Sequence, residues 1–355
     1  MSAKQKICFI AATLGNGGAE KQAYYLIKTL TKNDHQLKVI YFEPEDWWLQ
    51  PINELGVEVV RIIDTSKKNR ITKAYRLLKK EGFDIVQALH YHMNPYAAML
   101  GLMLGAKSVG AFRGDGEREL LTVNKYVRSI TFHFVKAFVC NSRSTIDKLS
   151  GIDSLKGKLN YLPNIVEVPG AVQSNKSELP TKFLAVNSLV ALKRIDRILK
   201  FISTYQKHNA AVELKVLGDG PLRPELEAAA KNLGIENRVS FEGRVDNVAD
   251  YYHGADVFML ASESEGTPNV ILEAMSHGKV IISSRVGEAG HLLGDGKYGV
   301  LIDFDNNNDL ENICVRLSTD WGALKSMGER AFHQIEEHHS FAHLYSNVRS
   351  IYQRL

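Results

Sequence analysis

Two glutamates flank a segment that is suited to holding an anionic sugar derivative. Glu265 and Glu273 stand on either side of Gly266–Val270. Residue preferences predict a helix here, with Thr267 as N-cap and Pro268 as the first helical residue. The free backbone N–H groups of such a helix end would bind a phosphate, and the carboxylates could accept hydrogen bonds from sugar and ribose hydroxyls. The alternative is a capped helix with solvated carboxylates.

Two further segments also point to an anionic ligand. Lys193 and Arg194 lie where another helix should begin. Cations are unfavourable there unless an anion is bound, so they indicate either a phosphate ligand or a solvated pair. The segment Gly15–Glu20 follows the first predicted strand, and Gly17 and Gly18 in it would let a ligand approach the backbone. Neither a P-loop nor a dinucleotide fingerprint is present, and a plain tight turn is the alternative.

The first half adds two short motifs that also follow predicted strands. His90-Tyr91-His92 contains two potential metal ligands, but no third ligand stands at a diagnostic spacing, so we expect no metal site. Such a histidine could instead bond a hydroxyl or a phosphate, or simply pack. Arg113-Gly114 follows the next predicted strand. All these residues would lie at the carboxyl ends of parallel strands, where α/β sheets bind ligands.

The elements that must position these residues alternate between strand and helix. This pattern predicts two Rossmann-like, doubly wound α/β domains that face a cleft. We place the N-terminal domain at residues 1–165, a proline-containing linker at 166–180 and the C-terminal domain at 181–339, with a helix at about 340–355 that packs back on the first domain. The predicted strands are Ile7–Thr13, Gln36–Phe42, Val57–Ile62, Asp84–Leu89, Ser108–Phe112, Ala137–Cys140, Lys182–Asn187, Val212–Leu217, Val239–Phe241, Val257–Leu260 and Val280–Ser283.

Length and composition agree with two globular domains. The chain has 355 residues, 45% hydrophobic and 24% charged, and no apolar stretch long enough to cross a bilayer. Its net charge of +4 is uneven, because residues 1–168 carry a net +8 and residues 169–355 a net −4. The basic stretch Lys67–Lys80 has interleaved apolar residues, so it could lie on anionic lipid, although a solvated helix face explains it equally. No nucleic-acid-binding motif accompanies the basic excess.

Taken together, these motifs resemble the family 4 retaining glycosyltransferases, which have the GT-B fold. The resemblance runs nearly end to end and is most specific from Glu265 to Glu273, with Gly218–Pro221 as a further match. It implies that Glu265 contacts the donor sugar, that Glu273 binds the ribose and that Lys193 neutralises the diphosphate. Arg244 would border the nucleobase.

The resemblance assigns two sets of candidate residues. The catalytic candidates are Glu265, Arg113, His92 and Lys193. The donor-binding candidates are Gly17, Gly18, Lys193, Arg194, Arg244, Glu265, Gly266, Thr267, Pro268, Asn269, Val270 and Glu273. Family members often carry an arginine where this chain has Ser188, and a histidine where it has Arg113. Arg194 could replace the former, and Arg113 could stabilise phosphate charge or orient the acceptor.

The implied reaction is a retaining, metal-independent transfer from a nucleotide-sugar, by default a UDP-sugar. The acceptor would be a saccharide or a polyprenyl-linked saccharide used for cell-surface polysaccharide or glycolipid synthesis. We expect no cofactor besides the nucleotide-sugar co-substrate, no nucleic-acid partner, and a cytoplasmic enzyme that could contact the inner face of the membrane. Two alternatives stay open: a transferase with a small soluble acceptor, and a catalytically inactive nucleotide-sugar-binding protein.

Overall fold

The computed structural model describes residues 4–169 and 178–355, which form two compact units. The first unit comprises residues 1–165 and 341–355, and the second comprises residues 166–340. Within the predicted linker, residues 170–177 lie outside the described part of the chain.

The first unit is built on a seven-stranded parallel sheet. Its strands are β1 (Lys6–Ile10), β2 (Gln36–Tyr41), β3 (Glu58–Arg61), β4 (Ile85–Ala88), β5 (Lys107–Phe112), β6 (Ala137–Cys140) and β7 (Leu159–Tyr161). They are arranged in the order β3-β2-β1-β4-β5-β6-β7. The chain therefore reverses its direction across the sheet between β1 and β4.

Helices connect these strands, as parallel pairing requires. They are α1 (Gly18–Lys32), α2 (Leu49–Glu54), α3 (Lys67–Leu78), α4 (Asn94–Leu104), α5 (Gly116–Leu121), α6 (Lys125–Phe134) and α7 (Arg143–Leu149). Helix α3 begins at Lys67, because the Ser66 hydroxyl accepts a hydrogen bond from the Asn69 N–H and caps it.

The second unit repeats the plan with six parallel strands. They are β8 (Lys182–Val186), β9 (Glu213–Leu217), β10 (Val239–Gly243), β11 (Val257–Leu260), β12 (Val280–Ser283) and β13 (Val300–Leu301). Their order is β10-β9-β8-β11-β12-β13, so the reversal falls between β8 and β11. In open α/β sheets, ligands bind outside the carboxyl ends of the strands at this switch point.

The helices of the second unit pack on both faces of its sheet. They are α8 (Ile195–Tyr205), α9 (Arg223–Asn232), α10 (Val248–Gly254), α11 (Asn269–Ser276), α12 (Ala289–Leu292), α13 (Asn307–Thr319) and α14 (Trp321–His338). Two apolar clusters, one around Phe201 and the other around Phe258, fill the two sides of this sheet.

The last helix, α15 (Phe341–Gln353), returns to the first unit and packs against α1. The ring of Phe341 meets that of Tyr25 edge-on at 5.2 Å. The buried Tyr352 hydroxyl donates to Gln87 Oε1 on β4 at 2.5 Å. The end of the chain thus completes the core of the unit in which it begins.

Candidate active site

A lysine and a glutamate meet at the switch point of the second sheet. Lys193 follows β8 in a single 3₁₀ turn, and Glu265 follows β11. Lys193 Nζ lies 2.6 Å from Glu265 Oε1, and both side chains are largely buried. The Glu263 N–H donates to the Leu192 carbonyl at 2.9 Å and ties the two loops together. The structure therefore brings two of the predicted catalytic residues into direct contact.

Glycines let the surrounding loops approach one another closely. Gly287, with φ +48°, lies so near the loop after β11 that an added Cβ would stand 2.2 Å from the Gly266 carbonyl oxygen. The N–H of the next residue, Glu288, donates to that same carbonyl at 2.9 Å. Gly218 approaches Asn187 in the same way, with a Cβ distance of 2.0 Å to its carbonyl oxygen. Backbone packing thus fixes the loops that carry Glu265 and Lys193.

Helix α11 begins one residue later than predicted. Pro268, not Thr267, is the N-cap, because its ψ of 99° is extended and Asn269 is the first helical residue. Thr267 therefore stands one position too early to act as the N-cap, and no side chain caps this end of the helix. The N–H groups of Asn269 and Val270 still belong to the first turn, where backbone donors lack intrahelical partners.

Glu273 lies one turn into α11 and is held by a buried tyrosine. The Tyr252 hydroxyl stands 3.2 Å from Glu273 Oε2 and 3.2 Å from the Val270 carbonyl oxygen. Burial, together with the Glu273 charge, raises the pKa of Tyr252 well above its usual value, so the phenol stays protonated as a donor. Sequence reasoning missed Tyr252, which comes from α10.

Arg194 is engaged by carboxylates of the chain itself. It adopts a left-handed conformation (φ 48°) between the 3₁₀ turn and α8. Its guanidinium pairs with Asp196, at 2.9 Å, and with Glu263, and these hydrogen bonds raise its pKa. The neighbouring Arg197 pairs with Asp305. Because these carboxylates balance its charge, the place of Arg194 before α8 does not by itself indicate a phosphate, and its role in donor binding stays a prediction.

Other polar groups stand at the same edge of the sheet. Arg244 follows β10 and is exposed. Within the described residues, Asn187 Nδ2 after β8 and Ser262 Oγ after β11 are buried without a hydrogen-bond partner. Buried polar atoms of this kind call for a partner such as water or a ligand. Neither residue stands out in the sequence, because burial alone makes it notable.

Cavity size does not identify this edge. A cavity of about 480 Å³ lies at this edge, lined by Ser262 and Glu263 among others. Another of about 490 Å³ lies where strands β8 and β9 begin, lined by Lys182 and Glu213 among others. That amino-terminal edge lacks the charged pair described above. Among residues 4–169 and 178–355, no group of three or more His, Cys, Asp or Glu side chains could hold a metal ion.

In the first unit, a histidine joins the loops at the switch point. The Ala12 N–H, after β1, donates to His90 Nδ1 at 3.2 Å, so that nitrogen is unprotonated. His90 Nε2 therefore carries the proton and faces Glu20 Oε1 at 3.1 Å. Burial would raise the pKa of Glu20, but His90 lowers it overall. Gly17 is the N-cap of α1 and Gly18 its first residue. The hydrogen bond between His90 and Glu20, two residues further along α1, therefore holds the start of this helix in place.

His92 and Arg113 follow β4 and β5. His92 is exposed, and partial desolvation together with the neighbouring His90 lowers its pKa. Every backbone polar group of Arg113 and Gly114 is bonded to a side chain. Glu119 Oε1 accepts from both N–H groups at 3.1 Å, Asn141 donates to the Arg113 carbonyl, and Thr145 donates to the Gly114 carbonyl. Burial lowers the pKa of the Arg113 guanidinium.

Glu119 is the anchor of this turn, and sequence reasoning missed it. Its Oε2 is buried and has no hydrogen-bond partner among the residues that the structure describes. Burial raises the pKa of Glu119 to about 7, against the lowering effect of the two N–H donors. The only sequence signal is its place on α5, four residues after the Asp115 N-cap.

Comparison with known proteins identifies the family. Residues 16–168 match the family described as Glycosyltransferase Family 4, and residues 171–334 match that described as Glycosyl transferases group 1. The chain belongs to the family 4 glycosyltransferases. This confirms the resemblance seen in the motifs, although the matches do not single out the Glu265–Glu273 spacing.

Related sequences are bacterial glycosyltransferases. This glycosyltransferase is 32% identical over 162 residues to N-acetyl-alpha-D-glucosaminyl L-malate synthase of Bacillus anthracis, a match that spans 45% of the chain and 42% of that relative. It is 27% identical over 321 residues to the GalNAc-alpha-(1->4)-GalNAc-alpha-(1->3)-diNAcBac-PP-undecaprenol alpha-1,4-N-acetyl-D-galactosaminyltransferase of Campylobacter jejuni, covering 85% of each chain.

The fold of the glycosyltransferase is GT-B, as predicted. The crystal structure of Anabaena HepE in complex with UDP and glucose superimposes with a TM-score of 0.85 over 99% of this chain and 100% of the other. The sequences are 16% identical, so this similarity concerns the fold. The GT-B fold has two Rossmann-like domains, and the two units of this chain, each built on a parallel sheet, correspond to them.

Proposed function

We propose that this glycosyltransferase transfers a sugar, with retention of configuration, from UDP-sugar to a saccharide or polyprenyl-diphosphate-linked saccharide. The product would belong to a bacterial polysaccharide or glycolipid. The observation that carries the proposal is the Lys193–Glu265 ion pair at the switch point of the second sheet. Such a position is where an α/β sheet binds its ligand.

The ion pair suits exchange with a nucleotide diphosphate. A diphosphate carries more negative charge than one carboxylate, so it would compete with Glu265 for the Lys193 ammonium. Glu265, released from Lys193, would accept hydrogen bonds from the donor sugar. Asn269 and Val270 would offer backbone N–H groups to the phosphates at the end of α11, and Glu273, held by Tyr252, would accept from the ribose hydroxyls.

The chemistry would rest on positioning and charge stabilisation. The bond between the anomeric carbon and the diphosphate breaks, the acceptor hydroxyl attacks from the same face, and the leaving phosphate takes the hydroxyl proton. Lys193 would stabilise the charge that develops on the leaving group. This positive charge is why we propose that the reaction needs no metal ion. His92 and Arg113 remain candidates for the acceptor side.

Relatives support the choice of donor and acceptor. Anabaena HepE has been crystallised with UDP and glucose, and the Campylobacter jejuni relative acts on an undecaprenol-diphosphate-linked oligosaccharide. The proposal transfers these two classes of substrate to the present chain.

Titration with UDP and with GDP tests the donor site. We expect UDP, which binds the native state, to raise the thermal midpoint of the wild type. Glu273→Ala should abolish this shift, whereas Glu225→Ala, an exposed glutamate on α9, should retain it. A shift with GDP alone would contradict the UDP assignment, and no shift with either nucleotide would contradict the donor site.

A turnover assay tests the reaction itself. UDP release from UDP-sugars is measured with an undecaprenyl-diphosphate-linked saccharide, with a free saccharide and with malate, in the presence of a chelator. The proton coupling constant of the new glycosidic bond gives its configuration. Inversion, loss of activity on chelation, or activity with malate alone would each contradict a part of the proposal.

A further inference from the structure

The outer faces of α4 and α6 expose an unusual concentration of large apolar side chains. Of the fourteen exposed large apolar side chains in the described part of the chain, eight lie between residues 99 and 134. We call them the apolar face: Met99, Leu102, Met103, Leu121, Tyr126, Val127, Ile130 and Phe134. Leu121 is 84% exposed and Tyr126 69%. Single exposed apolar residues are ordinary, but a group of this size marks an interaction surface.

The helical spacing places these residues on adjoining surfaces. Met99, Leu102 and Met103 share one side of α4, at intervals of three and four residues. Tyr126, Ile130 and Phe134 recur every four residues on α6 and share one side of it. Helices α4 and α6 pack against each other. Their outward sides therefore form one continuous face, with Leu121 at the end of α5 beside it.

The segments that carry α4 and α6 contain basic but no acidic side chains, whereas Glu117 on α5 is exposed one helical turn from Leu121. The segments 94–112 and 120–136 contain no aspartate or glutamate. Three lysines of these segments, Lys107, Lys125 and Lys136, are exposed. The nearest carboxylates in sequence belong to the start of α5, between these segments. An apolar surface rimmed by lysines is complementary to anionic lipid headgroups above acyl chains.

Helix α3, which forms most of the basic stretch Lys67–Lys80, does not expose a comparable apolar surface. Its Ala74 and Leu78 are buried in the core of the first unit, and Ile71 packs against the same cluster. Leu77 is exposed among lysines and arginines. Apart from Leu77, the apolar residues interleaved in that stretch therefore serve the core and are not available to a bilayer.

We propose that the apolar face docks on an anionic lipid bilayer, with Tyr126 and Phe134 at the level of the headgroups and the three lysines on lipid phosphates. No described helix is both long and apolar enough to cross a bilayer, so the contact would be peripheral. A second copy of the chain fits less well, because a two-fold contact would bring the exposed lysines of the two segments toward one another. The proposal concerns the first unit and does not depend on the donor site.

Vesicle sedimentation of the full-length protein tests the proposal. Vesicles of phosphatidylcholine alone are compared with vesicles that contain about one-third phosphatidylglycerol. We expect the wild type to sediment with the anionic vesicles, less so as salt rises. The double variant Val127→Glu/Ile130→Glu should bind at least about tenfold more weakly, with an unchanged thermal midpoint because both side chains are exposed.

Three further variants locate the surface. Val315→Glu, on α13, introduces a charge at a comparably exposed valine and should bind like the wild type. Lys79→Glu/Lys80→Glu, beyond α3, should also leave binding nearly unchanged, whereas Lys125→Glu/Lys136→Glu should weaken it about tenfold. The proposal is overturned if the wild type does not sediment with anionic vesicles, or if Lys79→Glu/Lys80→Glu weakens binding more than Lys125→Glu/Lys136→Glu. It is also overturned if light scattering shows a dimer that Ile130→Glu dissociates.

Discussion

Lys193 and Glu265 lie 72 positions apart in the chain, yet their charged atoms stand 2.6 Å from each other. They meet because β8 and β11 are neighbours in the sheet although two strands intervene in sequence. The pair joins a cation suited to phosphate with a carboxylate suited to hydroxyl groups. We base the first prediction on it.

Lys193→Ala should weaken UDP binding about tenfold or more and lower kcat/KM about 100-fold, because the diphosphate loses its positive partner both when bound and when leaving. Calorimetric titration gives the affinity and UDP release gives the rate. The free energy of unfolding should fall by about 1–3 kcal/mol, because Glu265, whose side chain is only 12% exposed, loses its ion-pair partner. Lys231→Ala, an exposed lysine on α9, is the control. Equal UDP affinities in both variants would contradict the role of Lys193.

Gly287→Ala should lower activity about tenfold or more, because its Cβ would displace the Gly266 carbonyl and with it Glu265. Gly234→Ala is a matched control. Gly234 also has a positive φ, +67°, but nothing lies within 4 Å of an added Cβ. Gly234→Ala should lose about 1–2 kcal/mol of stability from backbone strain. Gly287→Ala should lose more, because its Cβ also meets backbone atoms, and only Gly287→Ala should lose turnover. Equal turnover in the two variants would show that this close approach does not position Glu265.

Tyr252→Phe should weaken UDP binding by about fivefold, because Glu273 loses the hydroxyl that orients it. Tyr205→Phe removes another buried hydroxyl of the second unit, one that donates to the Pro180 carbonyl at 3.1 Å. Each variant should lose about 1 kcal/mol of stability. Only Tyr252→Phe should change the dissociation constant of UDP in a calorimetric titration, and a similar change in Tyr205→Phe would point to a general loosening of the unit.

Glu119→Gln should reduce the dependence of stability on pH. The pKa of Glu119 is about 7 in the folded chain and lies near 4.5 when unfolded, so the folded state binds the extra proton between these values. Wild-type stability therefore falls as pH rises from about 4.5 to 7. The variant lacks this pH-dependent loss in the free energy of unfolding, which amounts to about 2 kcal/mol once the partial exposure of Glu119 is taken into account.

Thermal midpoints of wild type and Glu119→Gln at pH 5 and pH 8 check this prediction. The difference between the two proteins should shift in favour of the variant at pH 8. Glu117→Gln, an exposed residue on the same helix, should show the wild-type dependence. If wild type and Glu119→Gln keep a constant difference across this range, then Glu119 does not titrate there.

The architecture could be predicted because strand and helix leave strong patterns in a doubly wound sheet. Ala137–Cys140, Val257–Leu260 and Val280–Ser283 are strands with the predicted bounds. The edge strands β7 and β13 were missed, since three and two residues are too few to show a pattern. Burial on both faces, which gives a strand its apolar run, is also incomplete at a sheet edge.

The site could be predicted only where residue type alone suggests chemistry. Lys193, Glu265 and Glu273 stand out for that reason. Tyr252 and Glu119 matter because of what they contact, and such contacts between distant elements leave no local signal. The ion pairs of Arg194 with Asp196 and Glu263 could not be foreseen from the sequence, and whether Arg194 binds the donor stays a prediction. Thr267 looked like an N-cap because the extended conformation of Pro268 could not be foreseen.

The return of α15 to the first unit also sets the order in which the protein can be completed during synthesis. Residues 166–340 form the second unit without a break, so that unit is complete before α15 leaves the ribosome. Until then, the first unit lacks the helix that covers Gln87 and the neighbouring apolar surface. The first unit therefore finishes folding after the second, and truncation before Phe341 would leave its core open.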